Sequence, residues 1–593
     1  MTIEQPCIGG NQTGWGLACR GVTPGQAMVP IAHLIIMSAL RPRMSNEKFD
    51  PQDNLGAKDE PVPYATAAEG DVEEGAPKPL KRALESRHMQ MIAIGGAIGA
   101  GLFVGSGEAL VNGGPASLVI CYIIVGFLML CTMMTLGELA VMYPVNGGYY
   151  EYSVRFLDPS WGNALGWTYA ISWMLTLPFE ITAASLTIQY WNSSLSPAIF
   201  VSIFMVVLII IQIFGVRGYG EVEFVLAIIK IITCIGLIIL GIIINAGGVP
   251  NDPTGYIGGK YWHNPGAFAN GFKGFCAVFV NAVFAYSGTE LVGLAAAETK
   301  NPRKSLPKAA KQVLWRVALF YIINLLIVGL NVPYTDPQLL GSGSAGAAGV
   351  DTKASPFVLA IQNAGIKGLP SVINAVVLIS SLSVANSCTY ASTRTVQALA
   401  MSGNAPRFLA YVDKQGRPLG PVIIQMLFGF IAYIQLASSG LTVFNWLLSI
   451  GSLSATLMYF SINVAHIRFR QALKFHGRST EEIPWKSPLG IAGSITGAVL
   501  AFICLAAVFY SSLFEPGGAP PTAYNFFEGY LSAFIVIFFL IIFKVWRREL
   551  WFGVHLNEID VDKGRRFAGM ELLPPPEDTS DFPWWKRALT AVF

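Results

Sequence analysis

The run Ile94–Gly107, "IGGAIGAGLFVGSG", opens the first long apolar stretch of the chain, and six of its fourteen residues are glycine. Glycine costs a helix about 1 kcal/mol per residue relative to alanine. A segment that must stay helical should avoid it. The surrounding sequence decides what the glycines are for.

The composition is that of a membrane protein. Hydrophobic residues make up 53% of the 593-residue chain and charged residues 13%, where a soluble protein carries about 25% charged residues. The 36 Phe, 21 Tyr and 13 Trp suit the aromatic belts of membrane interfaces. A net charge of +3 gives no reason to expect nucleic acid as a partner.

A membrane-spanning helix needs about 20 apolar residues. About twelve segments qualify, numbered here as spans 1–12: 89–112, 116–142, 161–191, 197–215, 220–245, 269–297, 310–332, 369–400, 420–438, 441–467, 488–513 and 524–546. They predict an all-α polytopic membrane domain over 88–546, between polar tails 1–87 and 547–593.

Charge orients the spans. The loops after spans 2, 4, 6, 8 and 10 hold Arg155, Arg217, the run Lys300 to Lys311, Arg407 to Arg417, and Arg468 to Lys486. The opposite loops show Lys260, Lys353 and Lys367. By the positive-inside rule both tails are cytoplasmic, and only an even number of spans keeps this pattern.

In the N-terminal tail, Met28–Leu40 is apolar but too short to span. A cleaved signal peptide there would contradict the charge pattern. Met44 is therefore the expected start, with 1–43 an upstream extension, and 44–87 reads as a disordered tail. The sequon Asn192-Ser193-Ser194 abuts the membrane and is not expected to be used.

Six of the eight cysteines fall in apolar stretches without metal-ligand spacing and read as small buried thiols. His466 is the one histidine near an apolar segment, so a histidine proton relay is not expected. Gly99, Gly101 and Gly105 miss the dinucleotide fingerprint by one residue, and no strand precedes them. No cofactor, metal cluster or nucleophile motif is expected, and the chain does not read as an enzyme.

The glycine run has a counterpart. Span 6 contains "YSGTELVG" (Tyr286–Gly293), where polar residues and a glutamate interrupt an apolar run. Spans 1 and 6 each open a five-helix block, and paired interruptions of this kind mark the site of an inverted-repeat transporter. An unwound helix offers N–H groups at one end and C=O groups at the other, which suits a carboxylate and an ammonium. Close packing through small residues is the plainer explanation of the glycines.

Ionisable residues inside spans are functional candidates. Glu180 lies in the middle of span 3, Lys230 on span 5 and Glu290 in the interrupted part of span 6. Glu290 suits contact with substrate, proton exchange or satisfaction of unwound backbone equally. Lys230 suits proton release or pairing with a carboxylate. Glu138 reads as a cap or a functional group. Glu298 lies at the expected cytoplasmic mouth before a basic run that reads as topogenic or gate-forming and not as substrate-binding. Trp446 reads as an outer lid or a belt residue.

Seven segments in order resemble the fungal amino acid permeases of the amino acid–polyamine–organocation superfamily. They are "IGGAIGAGLFVGSG", "GELAVMYPVNGGYYEY", "LPFEITAASLTIQYW", "FGVRGYGEVEFVLAIIK", "YSGTELVGLAAAETKNPRKSLPKA", "SVANSCTYASTRTVQALA" and "DVDKGRR". The resemblance implies a five-plus-five inverted repeat with two peripheral helices. It implies proton-coupled uptake of a broad range of L-amino acids at the plasma membrane. Candidate substrate-binding residues are Gly95, Gly96, Ile98, Gly99, Ala100 and Gly101 in span 1. Tyr286, Ser287, Gly288, Thr289 and Glu290 in span 6, and Asn386 in span 8, complete the set. Glu180, Lys230 and Glu290 are the candidates for proton coupling, and Lys230 matches a lysine thought to take the place of a coupling sodium ion. The tails are candidate docking segments for ubiquitin-ligase adaptors.

Two features depart from the family. Ala100 stands where a hydroxyl residue is common, and the sequence closes "LTAVF" without the cysteine that follows an aromatic pair in many relatives. An amino acid sensor on the same scaffold, an uncoupled exchanger and a narrow-specificity permease are the alternatives.

Overall fold

In the computed structural model, residues 84–565 are described, apart from 192–193, 251, 301, 341–354, 437–439, 518–519, 550 and 564. The expected extension 1–43, most of both tails and the sequon asparagine lie outside the described residues.

Among the described residues, ten helices are long and apolar enough to cross a membrane. The two other expected spans take different forms. Span 4 is Pro197–Ile213, 17 residues long. Span 1 is broken. It consists of Ser86–Gly95, then Ala100–Phe103, then the start of the helix Gly105–Met142. That helix continues as span 2 past Gly114, whose φ of 77° turns the backbone, and Pro115. The neighbouring backbone groups are satisfied from the segment before span 6, by Ala269 N–H to Gly113 O (2.9 Å) and Ala116 N–H to Ala267 O (2.9 Å).

The remaining spans are 3, Pro159–Ile188; 5, Gly215–Asn245; 6, Gly271–Glu298; 7, Pro302–Asn331; and 8, Leu369–Met401. Then follow 9, Leu419–Leu436; 10, Gly440–Phe475; 11, Gly490–Leu513; and 12, Ala523–Arg547. Span 3 starts at a strong signal. Asp158 accepts from Trp161 N–H (2.9 Å) and Pro159 occupies the first helical position, where its missing N–H costs nothing.

Side-chain periodicity sets which faces are buried. On span 5 the buried residues include Tyr219, Glu223, Ala227, Lys230, Cys234 and Leu237, a stripe at three- and four-residue spacing. Ile228, Ile232, Ile235, Ile239 and Ile242 on the other face are exposed, as lipid contact requires. The six described cysteines are buried and free.

Packing follows a two-fold pattern. Span 3 runs along span 8, its counterpart five positions later. Span 1 meets span 5 as span 6 meets span 10, and span 3 meets span 10 as span 8 meets span 5. Five spans per block is an odd number, so the second block enters from the opposite side. Spans 11 and 12 pack on the outside of this core.

The basic loops share one face with the described ends of the chain. Leu84 pairs with Thr299 in the loop after span 6. Arg155 donates to Lys563 O (2.6 Å), and Arg478 pairs with Asp562 (2.6 Å). Among the described residues the first helix begins at Ser86, and Gly553 to Lys563 lie against the helical core.

Candidate functional site

In span 1, residues 96–99 leave the helix, and Gly99 (φ −144°, ψ −153°) is extended before Ala100–Phe103 begins. The first piece ends in carbonyls that two cations hold. Lys230 Nζ donates to Gly95 O at 2.6 Å and to Ser383 Oγ at 2.8 Å. The Arg316 guanidinium of span 7 donates to Ala93 O. Cations suit the negative end of a helix dipole. Ser383 Oγ in turn donates a hydrogen bond to Glu223 Oε1 at 2.5 Å, and Glu223 and Lys230 are both fully buried. At the amide end of the second piece, the Glu180 carboxylate faces the Ala100 N–H and the Ser381 hydroxyl, with Lys230 as its opposite charge.

The glycines of this run are close-approach positions. A Cβ on Gly95 would collide with the Glu223 carboxylate, one on Gly99 would lie 2.5 Å from Val384, and one on Gly101 2.9 Å from Phe284. None of the described glycines between 95 and 107 has a positive φ. Packing therefore accounts for the run as a whole, while unwinding is confined to 96–99. The two explanations act together.

In span 6 the helix Gly271–Tyr286 ends and Leu291–Ala295 resumes. Gly288 between them has φ 100°, which excludes most other residues. Glu290 folds back onto this turn. Its Oε2 accepts from Gly288 N–H (3.0 Å) and Tyr459 OH (3.1 Å), and its Oε1 from Tyr169 OH (2.8 Å). Of the three roles open to Glu290, the geometry realises satisfaction of unwound backbone.

The two breaks touch each other. On the side away from the basic face they are covered by an apolar group of Ala100, Phe179, Ala183, Phe284, Leu447 and Leu448. Phe179 and Phe284 meet edge to face with ring centres 5.0 Å apart. On the basic side, Arg394 Nε pairs with Glu298 Oε1 at 3.0 Å, and both side chains are buried. Arg394 also lies over Tyr390 (4.5 Å), which stacks on Tyr219 (4.6 Å). Leu84 N–H donates to Glu298 O (3.1 Å), adding the residue two positions before span 1 to this closure.

The other candidates are placed as follows. Gly96 and Thr289 are buried within the breaks, and Ser287 is the partly exposed residue of the span 6 break. Ile98 is fully buried in the main core. The Tyr286 side chain turns away, to Tyr122 O (3.1 Å) and the Tyr321 ring (4.2 Å), so its backbone alone borders the break. Asn386 accepts from Gln212 (3.1 Å), one residue removed from the breaks through Glu223. Ala100 contributes its methyl to the apolar cover. Trp446 donates to Tyr524 OH (3.2 Å) at the start of span 12, so the cover is built from Phe179 and Phe284 instead. Glu138 joins spans 2 and 10 through His466 (2.9 Å) and Arg470 (2.7 Å).

Sequence reasoning missed Glu223, Ser383, Tyr169 and Tyr459. Glu223 had a signal, because it lies seven residues before Lys230 and so on the same helix face. The tyrosines had none among the 21 in the chain.

The chain matches the amino acid permease family model over residues 88–552. It is 51% identical over 499 residues to the general amino-acid permease GAP2 of Candida albicans, covering 84% of each chain. It is 49% identical over 506 residues to the general amino-acid permease GAP1 of Saccharomyces cerevisiae, covering 84% of this chain and 82% of that one. An uncharacterized amino-acid permease of Schizosaccharomyces pombe, P7G5.06, is 52% identical over 503 residues, 85% of this chain and 84% of its own. These relatives are transporters and not enzymes. With its paired broken helices and this extent of likeness, the chain belongs to the amino acid permeases of the fungal type, within the amino acid–polyamine–organocation superfamily.

Proposed function

We propose that this permease takes up a broad range of L-amino acids across the plasma membrane, coupled to protons, by alternating access, with its basic face in the cytoplasm. One observation carries the reading. Each break has one end closed by a charge of the protein: Lys230 holds the carbonyl end at Gly95, and Glu290 holds the amide end at Gly288. The other two ends are the amides of span 1 near Ala100, which Glu180 faces, and the carbonyls of span 6. An α-carboxylate suits the first and an α-ammonium the second. A zwitterion bridges two helix pieces that belong to different repeats.

Glu180 supplies the coupling step. Its carboxylate faces the Ala100 N–H that a substrate carboxylate would use. Two ionised carboxylates do not share one helix end, so Glu180 yields the amide by turning away or by taking up a proton. The proton then travels with the substrate. Lys230, with Glu223 behind Ser383, keeps a fixed positive charge at the neighbouring carbonyl end.

The driving force is sufficient. A potential of ~100 mV supplies about 2.3 kcal/mol per charge, and an outside ~2 pH units more acidic about 2.7 kcal/mol. Together, ~5 kcal/mol supports accumulation by several thousand-fold. The names of the relatives, general amino-acid permeases in two yeasts, support a broad range, and the cover over the breaks carries no charge that would select one side-chain class.

The test is uptake of labelled amino acids by a permease-deficient yeast expressing this chain, with all twenty amino acids as competitors and at several external pH values. Accumulation above the external level at pH 5 that collapses with a protonophore is expected. No uptake would favour a sensor, and uptake indifferent to pH an exchanger. Lys230→Met should abolish accumulation, and intact uphill uptake in that variant removes Lys230 from the coupling step.

A further inference from the structure

On the face opposite the basic loops, a cavity of about 290 Å³ lies above the apolar cover, between the ends of spans 1, 6, 10, 11 and 12. Leu448 belongs to both the cover and this cavity. Three carboxylates line it: Glu108 from span 1, Glu515 after span 11 and Glu528 from span 12. Among the described residues none of the three has an ion-pair partner within 4.0 Å. Lys273, at the same end of span 6, instead lies over the Phe514 ring at 5.9 Å.

Acidic residues at a protein surface are commonly no more than solvated charge. Here a second observation points to a ligand. Asn281 of span 6 also lines the cavity and is only 3% exposed. Its amide faces the Glu108 carboxylate, while its Oδ1 is buried without any hydrogen-bond partner. A buried acceptor left unmet is costly, and this one lies against Gly105 at the edge of a cavity whose charged groups are acceptors too. Such a site wants a donor-rich cation. Among the described residues no group of three or more His, Cys, Asp or Glu is arranged to hold a metal ion. An organic cation of several donors fits the volume and the spread of the acceptors.

We propose that this cavity is an outer binding site for the ammonium or guanidinium end of basic amino acids, occupied before they pass the apolar cover. The proposal rests on the transport reading above and adds a preference to it. Substrates with a cationic side chain gather over the breaks, while neutral ones pass without stopping there.

The experiment compares arginine with leucine. Initial uptake of each is measured for the wild type and for Glu108→Gln/Glu528→Gln, with rates normalised to protein at the cell surface. The expected result is a fall of about fivefold or more in the arginine-to-leucine ratio of kcat/KM. Asn281→Asp adds a charge at the unmet acceptor and should raise the same ratio. An unchanged ratio in both variants overturns the proposal. Calcium that inhibits arginine uptake at millimolar concentration in the wild type, but not in the double variant, overturns it too, because it assigns the carboxylates to a divalent cation. If the wild type transports neither amino acid, the transport reading itself has failed, and the outer site falls with it.

Discussion

A Cβ on Gly288 would stand 2.2 Å from the carbonyl oxygen of Gly96. The break of span 6 therefore rests directly on the break of span 1, backbone against backbone. With φ at 100°, Gly288 also holds a conformation that side chains disfavour.

Gly288→Ala should therefore abolish uptake. Strain alone costs roughly 1–3 kcal/mol, and the clash with Gly96 forces the breaks apart. Gly259→Ala, with nothing within 4 Å of its Cβ, is the matched control and should transport normally. The measurement is initial uptake per molecule at the surface, and a Gly288→Ala variant with more than half the wild-type rate would refute the contact.

Glu223→Gln keeps an acceptor for Ser383 but removes the negative charge behind Lys230. Downhill exchange should persist while accumulation ratios fall at least tenfold. Loss of both activities in parallel would make Glu223 a structural residue only. Measuring exchange and net uptake in the same vesicles separates the two outcomes.

Glu290→Ala leaves the Gly288 N–H and two tyrosine hydroxyls without their acceptor. Each buried unsatisfied group costs about 1–3 kcal/mol, so the thermal midpoint in detergent should drop by many degrees. Glu290→Gln retains an acceptor oxygen and should lose less than half as much. Equal losses would show that the charge of Glu290, and not its hydrogen bonds, holds the turn.

Arg394→Met strands Glu298 in a buried site, a change that typically costs about 3–5 kcal/mol. The closure on the basic face should loosen, and Cys388, six residues earlier on span 8 and now fully buried, should react with thiol reagents. Replacing both members, Arg394→Met with Glu298→Met, should restore most of the protection.

Asp158 offers a pH test outside the spans. Burial pushes its carboxyl up, but bonds from Gly553 N–H, the Lys544 ammonium and Trp161 N–H outweigh this, and the net shift is downward. A depressed carboxylate contributes stability above its unfolded value and loses it as pH falls through the folded value. Docking of residues 551–565 should thus be constant from pH 8 to about 5 and fail only below about pH 4. Asp158→Asn should expose the segment to proteolysis at neutral pH.

The spans were legible because lipid demands long apolar helices, and nothing else in a chain produces them. The breaks were legible for a related reason: Gly96 to Gly99 and Ser287 to Glu290 interrupt runs that have no other cause to be interrupted. Side-chain direction was not legible. Tyr286 stands at the break in sequence yet faces Tyr122 and Tyr321, and Trp446 turns to Tyr524 where Phe284 and Phe179 form the cover. These choices depend on which helices become neighbours, and a single span does not carry that information. Glu223 is the exception, since its seven-residue spacing from Lys230 already places both on one helix face.

The pairing of Leu84 with Thr299 makes the first described residue of the chain part of the inner closure, next to Glu298 and so to Arg394. Leu84 therefore has leverage. A force applied at residue 84, by a bound regulator or a fused domain, acts through two backbone hydrogen bonds on the end of span 6. A fusion made close to Ser86 would load that closure directly.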